Sequence, residues 1–134
     1  MSGPLTLLQM GHQAMSAQLV RMNAAASNLA NAGSVAATED AAYRPVRAVF
    51  AQQLDGASGL NSVAVSGIAQ ADVAPVRRHD PGHPLADANG DVWVSPVDES
   101  EEMVEMLEAS RQYRNMVEAM STAKQLMLET MRMK

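Results

Sequence analysis

Residues 4–33, PLTLLQMGHQAMSAQLVRMNAAASNLANAG, and residues 95–131, SPVDESEEMVEMLEASRQYRNMVEAMSTAKQLMLETM, decide the fold of this chain. In both segments apolar side chains recur in alternating steps of three and four residues. This period of about 3.5 residues places them in one stripe along an α-helix and suits packing against a second helix. The N-terminal stripe consists of Leu5, Leu8, His12, Met15, Leu19, Met22, Ala26 and Leu29. The C-terminal stripe consists of Met103, Met106, Ser110, Tyr113, Val117, Met120, Lys124, Met127 and Met131.

The period predicts a long helix near each end of the sequence and leaves open what covers the two stripes. They can pack on each other within one monomer, the commoner arrangement for two amphipathic helices, or on helices of neighbouring chains. All eleven methionines lie at or before Met22 or at or after Met103. Flexible thioether side chains suit surfaces that contact several non-identical neighbours, so the composition fits the second arrangement as well.

Local signals set the expected helix ends. Pro4 has a fixed φ that suits a first helical turn, and Asn31 to Gly33 supply a stop that tolerates the left-handed conformation, so we expect the first helix over residues 5–31. For the second helix the sequence predicts Ser95 as the N-cap, Pro96 as the first helical residue and Asp98 as the partner in a capping box.

The segment between the helices favours β structure, which makes the expected fold α+β. Residues 33–42 lack any period and are predicted to form a loop. Alternation over residues 44–54 predicts a strand, residues 63–76 predict one bent strand or two, and Val92 to Val94 complete a small sheet. We therefore expect a helix over 1–33, a β-rich middle over 34–95 and a helix over 96–134, with the helices forming a coiled-coil-like pair or bundle with neighbours.

Composition narrows the class of protein. The 134 residues carry a net charge of -5, which gives no basic surface for nucleic acid or for an anionic membrane. Polar residues interrupt the apolar N-terminal run and no basic residue precedes Arg21, so we expect no cleaved secretory signal. The sequence contains no Cys, which rules out disulfides and thiolate metal sites.

Residues 79–91, HDPGHPLADANGD, hold the main candidates for chemistry. His79 and His83 have the spacing of a helical zinc pair, but the intervening Pro and Gly prevent the helix that would align them. The acidic residues of the stretch lack the glycine position and the closing Glu of a calcium loop. Turn formation explains the stretch better, and the predicted connector turn consists of Asp80, Pro81, Gly82, His83, Pro84, Asp87 and Gly90.

No catalytic signature occurs in the sequence. We find no nucleophile elbow, phosphate loop or Cys/His pair, and the acidic cluster over residues 99–108 is accounted for by a helix N-terminus and a solvated helix face. His12 in the N-terminal stripe is more often a packed or interface residue than a base. We expect no enzyme activity, no metal and no cofactor.

Several motifs resemble one family. Residues 27–32, SNLANA, with Tyr43 and Arg44 after them, resemble the Asn-x-x-Asn signature and following Tyr-Arg of flagellar axial proteins. Residues 80–92 and 101–124 are more specific and resemble the FlgC family of flagellar basal-body rod proteins along essentially the whole sequence.

The resemblance implies a non-enzymatic subunit of the proximal rod, the drive shaft that crosses the periplasm. It implies export by the flagellar type III export apparatus without a cleaved signal. Implied partners are the other proximal rod proteins, the rod-to-membrane-ring adaptor protein and the distal rod protein, with no nucleic acid and no membrane insertion. The terminal helices would form the rod core, with an assembly interface drawn from Leu8, Met15, Leu19, Met22, Asn28, Leu29, Asn31, Met103, Met106, Tyr113, Val117, Met120 and Met127.

Two alternatives come from other classes. A hydrolase that uses His79, His83 and Asp87 would need a metal or a pocket. A helical-hairpin adaptor or secretion-chaperone-like binding module would also show paired stripes and an acidic composition. Such a module gives no reason for a β-rich middle that contains Trp93 and the Asp-Pro-Gly-His-Pro turn.

Overall fold

The computed structural model describes residues 4–54, 56, 59 and 61–133, with side chains from residue 7 onward. Leu5 of the N-terminal stripe therefore has no described side chain. The elements in chain order are α1 (Pro4–Ala30), β1 (Val35–Ala36), β2 (Val46–Leu54), β3 (Asn61–Gln70), β4 (Val76–His79), β5 (Asp91–Val94) and α2 (Glu99–Arg132). The two helices and the β structure between them confirm the α+β class.

The helices α1 and α2 form an antiparallel pair within the chain. Arg21 of α1 contacts Glu105 near the start of α2, and Gly11 lies against Met120 two-thirds of the way along α2. In α2 the positions that are least exposed repeat in steps of four and three, as expected of a helix seam. They are Glu102, Met106, Ala109, Tyr113, Met116, Met120, Ala123 and Met127.

The β residues form two sheets rather than the single small sheet that the sequence predicted. β2 and β3 pair as an antiparallel hairpin with a register shift between Val49 and Phe50, and α1 packs on it. β1, β5 and β4 form a separate three-stranded antiparallel sheet. The residues after β3 do not continue the hairpin; the chain crosses to the second sheet and β4 begins there at Val76.

Two local predictions were wrong for a shared reason. The predicted loop over residues 33–42 contains β1, which pairs with β5, and the Ser95 N–H extends that ladder by donating to the Ser34 carbonyl at 2.9 Å. Because this hydrogen bond keeps Ser95 extended, it is not the helix N-cap. Asp98 is the N-cap instead, and its side chain accepts from the N–H groups of Ser100 and Glu101.

The interior is small and built mostly from alanine. Among the described residues the buried apolar side chains include Ala17, Ala24, Ala25, Ala42, Val92 and Ala109, together with Pro45 and Pro75. The chain exposes 9117 Å², whereas a compact monomer of its mass, 14.3 kDa, would expose about 6,800 Å². The excess of about 2,300 Å² is consistent with a subunit that covers part of its surface with neighbours.

Within the described residues, neither helix combines the length and apolar character that crossing a membrane requires.

Candidate assembly interface

The N-terminal stripe runs along a flank of α1 that the subunit covers only in part. Each residue turns the helix by about 100°, which places the stripe roughly opposite the α1 row that contains Ala17, Arg21 and Ala24. Leu19 is 42% exposed, and Leu8, Met15, Met22 and Leu29 are half-buried. This surface, which we call the outer face of α1, carries no charged side chain.

The structure divides the C-terminal stripe between two surfaces. Met106, Tyr113, Met120 and Met127 belong to the seam of α2 that packs toward α1. Met103 and Val117 are exposed, at 56% and 42%. The observed seam has the same heptad spacing as the predicted stripe, but at alternate positions it uses the preceding residue, namely Glu102, Ala109, Met116 and Ala123, which leaves Met103 and Val117 at its edge.

A shallow apolar groove of about 390 Å³ runs between the N-terminal half of α1 and the C-terminal half of α2. It is lined by Leu7, Met10, Gly11, Ala14, Met116, Ala119, Met120 and Ala123, and none of these residues is charged. The helices approach closely here because Gly11 has no side chain: a Cβ at this position would lie 2.0 Å from the Met120 Sδ atom.

Asn28 is fully buried and joins the C-terminal end of α1 to β2. Its Nδ2 donates to the Val46 carbonyl at 3.0 Å and its Oδ1 accepts from the Val46 N–H at 2.8 Å. The same Oδ1 accepts from the Tyr43 hydroxyl at 2.8 Å, and that hydroxyl lies 3.1 Å from Ser27 Oγ. The amide thus pairs with Val46 as a neighbouring strand would, and Asn28 is used inside the subunit.

Asn31, the second asparagine of the motif, has a local role at the helix end. Its Nδ2 donates to the Ser27 carbonyl at 2.8 Å, and the Asn31 backbone N–H donates to the same carbonyl at 3.2 Å. Gly33 follows with a φ of +73° and turns the chain toward β1, because only glycine adopts this conformation without strain.

Glu102 is the largest buried side chain, at 1% exposure, and it forms an ion pair with Arg47 of β2. The hydrogen bond from the Arg47 guanidinium to the Glu102 carboxylate raises the pKa of Arg47 above its ordinary value. One turn later Glu105 contacts Arg21 of α1 at 2.7 Å. The expectation that a helix N-terminus and a solvated face account for the acidic cluster was therefore wrong for Glu102 and Glu105, which form ion pairs with β2 and α1.

The seven residues of the predicted connector turn lie in the loop between β4 and β5. Asp87 Oδ1 accepts from the N–H groups of Asn89 at 2.8 Å and Asp91 at 2.9 Å, and these bonds lower the Asp87 pKa. The Asp80 N–H donates to the Gly90 carbonyl at 2.9 Å and closes the loop. Gly90 has a φ of +79°, and a Cβ there would lie 3.0 Å from Pro81, so this position requires glycine.

The two candidate histidines of this loop have separate partners. His79 Nδ1 lies 2.8 Å from Asp91 Oδ1, and His83 Nδ1 accepts from the Leu85 N–H at 3.1 Å. In the part of the chain that the structure describes, no group of three or more His, Asp or Glu side chains is arranged to hold a metal ion.

Comparison with known proteins identifies the family. The chain is 40% identical over 129 residues to the flagellar basal-body rod protein FlgC of Salmonella typhimurium, with 95% of each chain covered. It is 42% identical to FlgC of Escherichia coli O6:H1 and 41% identical to FlgC of Yersinia enterocolitica, again with 95% of each chain covered. The chain belongs to the FlgC family of flagellar basal-body rod proteins.

A family model described as flagellar basal body rod FlgEFG protein C-terminal matches residues 88–133 of this FlgC-family chain. The match covers β5 and α2. Membership makes the chain a structural subunit of the rod in the flagellar basal body, and not an enzyme. The helical hairpin by itself would also suit the adaptor alternative, so it is the relatives that decide between the two.

In this FlgC-family chain the buried polar contacts stabilise the subunit itself. Asn28, Arg47 and Glu102 hold the helix pair and the β2–β3 hairpin together. The family resemblance singled out Asn28. Its main partner is the backbone of Val46, and no sequence pattern predicts that contact. The sequence analysis did not propose a role for Arg47. Its position between apolar residues of β2 was the one sequence feature that could have drawn attention to it.

Proposed function

We propose that this FlgC-family chain is a subunit of the proximal rod and that the outer face of α1 is its main contact with neighbouring subunits. The observation that carries the proposal is that this face carries no Asp, Glu, Lys or Arg and that the subunit covers it only in part, with Leu19 at its centre 42% exposed. A stripe of this kind on a soluble helix is typical of a surface that another helix covers.

In this proposal residues 1–33 and 96–134 form the rod core and residues 34–95 pack outside it. Met103 and Val117, which α1 does not cover, add contacts from α2. The partners are the other proximal rod proteins, the rod-to-membrane-ring adaptor protein and the distal rod protein. The rod then acts as a drive shaft across the periplasm, because many repeated helix contacts resist twisting together.

The proposal includes export through the flagellar type III export apparatus without cleavage of a signal. Among the described residues the buried aliphatic side chains are mostly alanine, so the interior contributes little hydrophobic free energy to resist unfolding before export. Mass spectrometry of the protein from isolated basal bodies tests this part. An intact N-terminal segment supports it, and loss of the first 20 or so residues contradicts it.

The substitution Leu19→Asp tests the assembly face. It places a charge at the centre of the outer face of α1, and desolvating that charge in a subunit contact costs several kcal/mol. We expect rods to stop before completion and swimming to be lost, while the exported subunit stays as stable as the unmodified chain.

Asn115→Asp is the matched control, because it also adds one negative charge to an exposed helix position. Asn115 lies on the polar outward side of α2, so we expect normal rods. If cells that export Leu19→Asp swim normally, the outer face of α1 does not carry assembly.

A further inference from the structure

The loop between β4 and β5 contains the one Asn-Gly pair of the sequence, Asn89 and Gly90. In a flexible chain such a pair deamidates readily, because glycine has no side chain to hinder the reaction. The Gly90 backbone nitrogen loses its proton and attacks the side-chain carbonyl carbon of Asn89, which closes a five-membered succinimide ring and releases ammonia. Water then opens the ring and leaves aspartate or isoaspartate at this position. Asn89 is exposed, so burial does not prevent the reaction.

The folded loop holds the attacking nitrogen in place. The Gly90 N–H donates to the Asp87 carbonyl at 3.0 Å, so loss of its proton breaks a hydrogen bond. Ring closure also draws the nitrogen to bonding distance of the Asn89 side chain and displaces the peptide link between the two residues. The Asp87 side chain opposes that displacement, because its Oδ1 accepts from the N–H groups of Asn89 at 2.8 Å and Asp91 at 2.9 Å.

Gly90 is fixed on its other side as well. Its carbonyl accepts from the Asp80 N–H at 2.9 Å. Its backbone lies so close to two neighbours that a Cβ here would be 3.0 Å from Pro81 and 3.2 Å from His79. The peptide groups on both sides of Gly90 are therefore held by the loop, and closing the succinimide ring requires the loop to open first.

We propose that Asn89 is a deamidation site that the folded loop protects, and that Asp87 provides most of the protection. Asp87 holds Gly90 through its carbonyl and holds Asn89 and Asp91 through its side chain. In the unfolded chain these hydrogen bonds are absent and the pair reacts as it does in a short peptide. Isoaspartate adds one carbon to the backbone, so a chain modified before folding does not re-form the same loop at the start of β5.

Peptide mapping by mass spectrometry tests the proposal on the purified full-length subunit. The subunit is incubated at mildly alkaline pH, where deprotonation of the backbone amide speeds the reaction, and the deamidation rate at Asn89 is measured. We expect Asp87→Ala to react about tenfold faster than the unmodified folded chain, the factor that corresponds to the net free energy of one or two hydrogen bonds. The unmodified chain in urea should react faster still.

Two control variants separate opening of the loop from unfolding of the whole subunit. Asp87→Asn keeps a side-chain oxygen as acceptor and should retain the slow rate. Asn28→Ala lowers the stability of the subunit far from the loop and should also retain it, because local opening of the loop is enough to release the Asn-Gly pair. Circular dichroism checks that each variant is folded.

Four results would overturn the proposal. A folded unmodified chain that deamidates as fast as the chain in urea has no protection to explain. An unchanged rate in Asp87→Ala would show that Asp87 does not provide it. Equal acceleration in Asn28→Ala would show that the reaction proceeds through global unfolding. Rapid reaction of Asp87→Asn would show that the charge at this position, and not its hydrogen bonds, controls the rate.

Discussion

The two sides of α1 differ in how completely the subunit covers them. The inner side packs on α2 and the β2–β3 hairpin, and its polar residues Arg21 and Asn28 have partners within the chain. The outer side, with Leu19 at its centre, is only partly covered by the subunit although it is the more apolar of the two. In this helix the most hydrophobic side is left partly exposed, and alanine fills much of the interior.

We therefore expect the inner side to determine the stability of the subunit and the outer side to determine assembly. Substitutions on the inner side should lower the stability of the isolated subunit. Substitutions on the outer side should leave that stability unchanged and stop assembly. The predictions that follow concern the inner side and its loops, where the effect is read as a free energy of unfolding.

The largest effect is expected for Asn28→Ala. The change leaves the Val46 N–H without its acceptor and removes the Asn28 hydrogen bonds to the Val46 carbonyl and the Tyr43 hydroxyl, and a buried unpaired group costs about 1–3 kcal/mol. We expect the free energy of unfolding of the purified subunit to fall by about 2–4 kcal/mol in urea titrations. Asn31→Ala, which removes one hydrogen bond at the helix end, is the control and should cost no more than about 1 kcal/mol. Equal effects of the two would show that Asn28 has no special place in the interior.

Arg47→Ala should have the next largest effect, because it leaves the Glu102 carboxylate buried without its cation. Breaking a buried ion pair costs about 3–5 kcal/mol, and the partial exposure of Arg47 places this case at or below the lower end. Replacing both residues by leucine should restore most of the lost stability, since the pair itself contributes little net free energy. A double variant as unstable as Arg47→Ala would contradict this account of the ion pair.

Met120→Asp should destabilise the contact between the helices by about 2 kcal/mol, because the half-buried side chain becomes a partly desolvated carboxylate. The thermal midpoint of the purified subunit is the measurement, with Met120→Leu as the control of similar volume. A midpoint that Met120→Asp leaves unchanged would show that α1 and α2 do not pair at this position in solution.

The smallest effect is expected at the loop between β4 and β5, from the titration of Asp87. Its folded-state pKa lies below the ordinary value because its carboxylate accepts backbone hydrogen bonds, so it stabilises the loop above its unfolded-state pKa. This contribution disappears as the pH falls through the depressed folded-state pKa. The NMR amide shifts of Asn89 and Asp91 should move together in that acidic range. In Asp87→Asn, which keeps an oxygen acceptor without a titrating proton, this transition should be absent.

The sequence predicted the helices closely and their partners poorly. The predicted range 5–31 differs from the observed α1 by one residue at each end, because the apolar period and the stop at Gly33 are local signals. Periodicity shows that a stripe exists but does not show what covers it. The inner side of α1 escaped prediction because Ala17 and Ala24 add little to a hydrophobic pattern, although their small size permits close helix packing.

The remaining errors arose from long-range contacts. The N-cap moved from Ser95 to Asp98 because Ser95 pairs with Ser34, which lies 61 residues earlier in the sequence. Glu102 looked like one of several solvated acids until the fold brought Arg47 beside it. Local sequence rules cannot register such contacts, since they depend on how the sheets and helices pack together.

Cysteine accessibility in intact basal bodies tests the central claim most directly. Leu19→Cys and Asn115→Cys are each labelled with a maleimide reagent, in the purified subunit and in isolated basal bodies. The account predicts that both positions react in the free subunit and that assembly protects Leu19→Cys while Asn115→Cys stays reactive. Equal labelling of Leu19→Cys in the subunit and in the basal body would show that the outer face of α1 remains open in the rod, and would contradict the account.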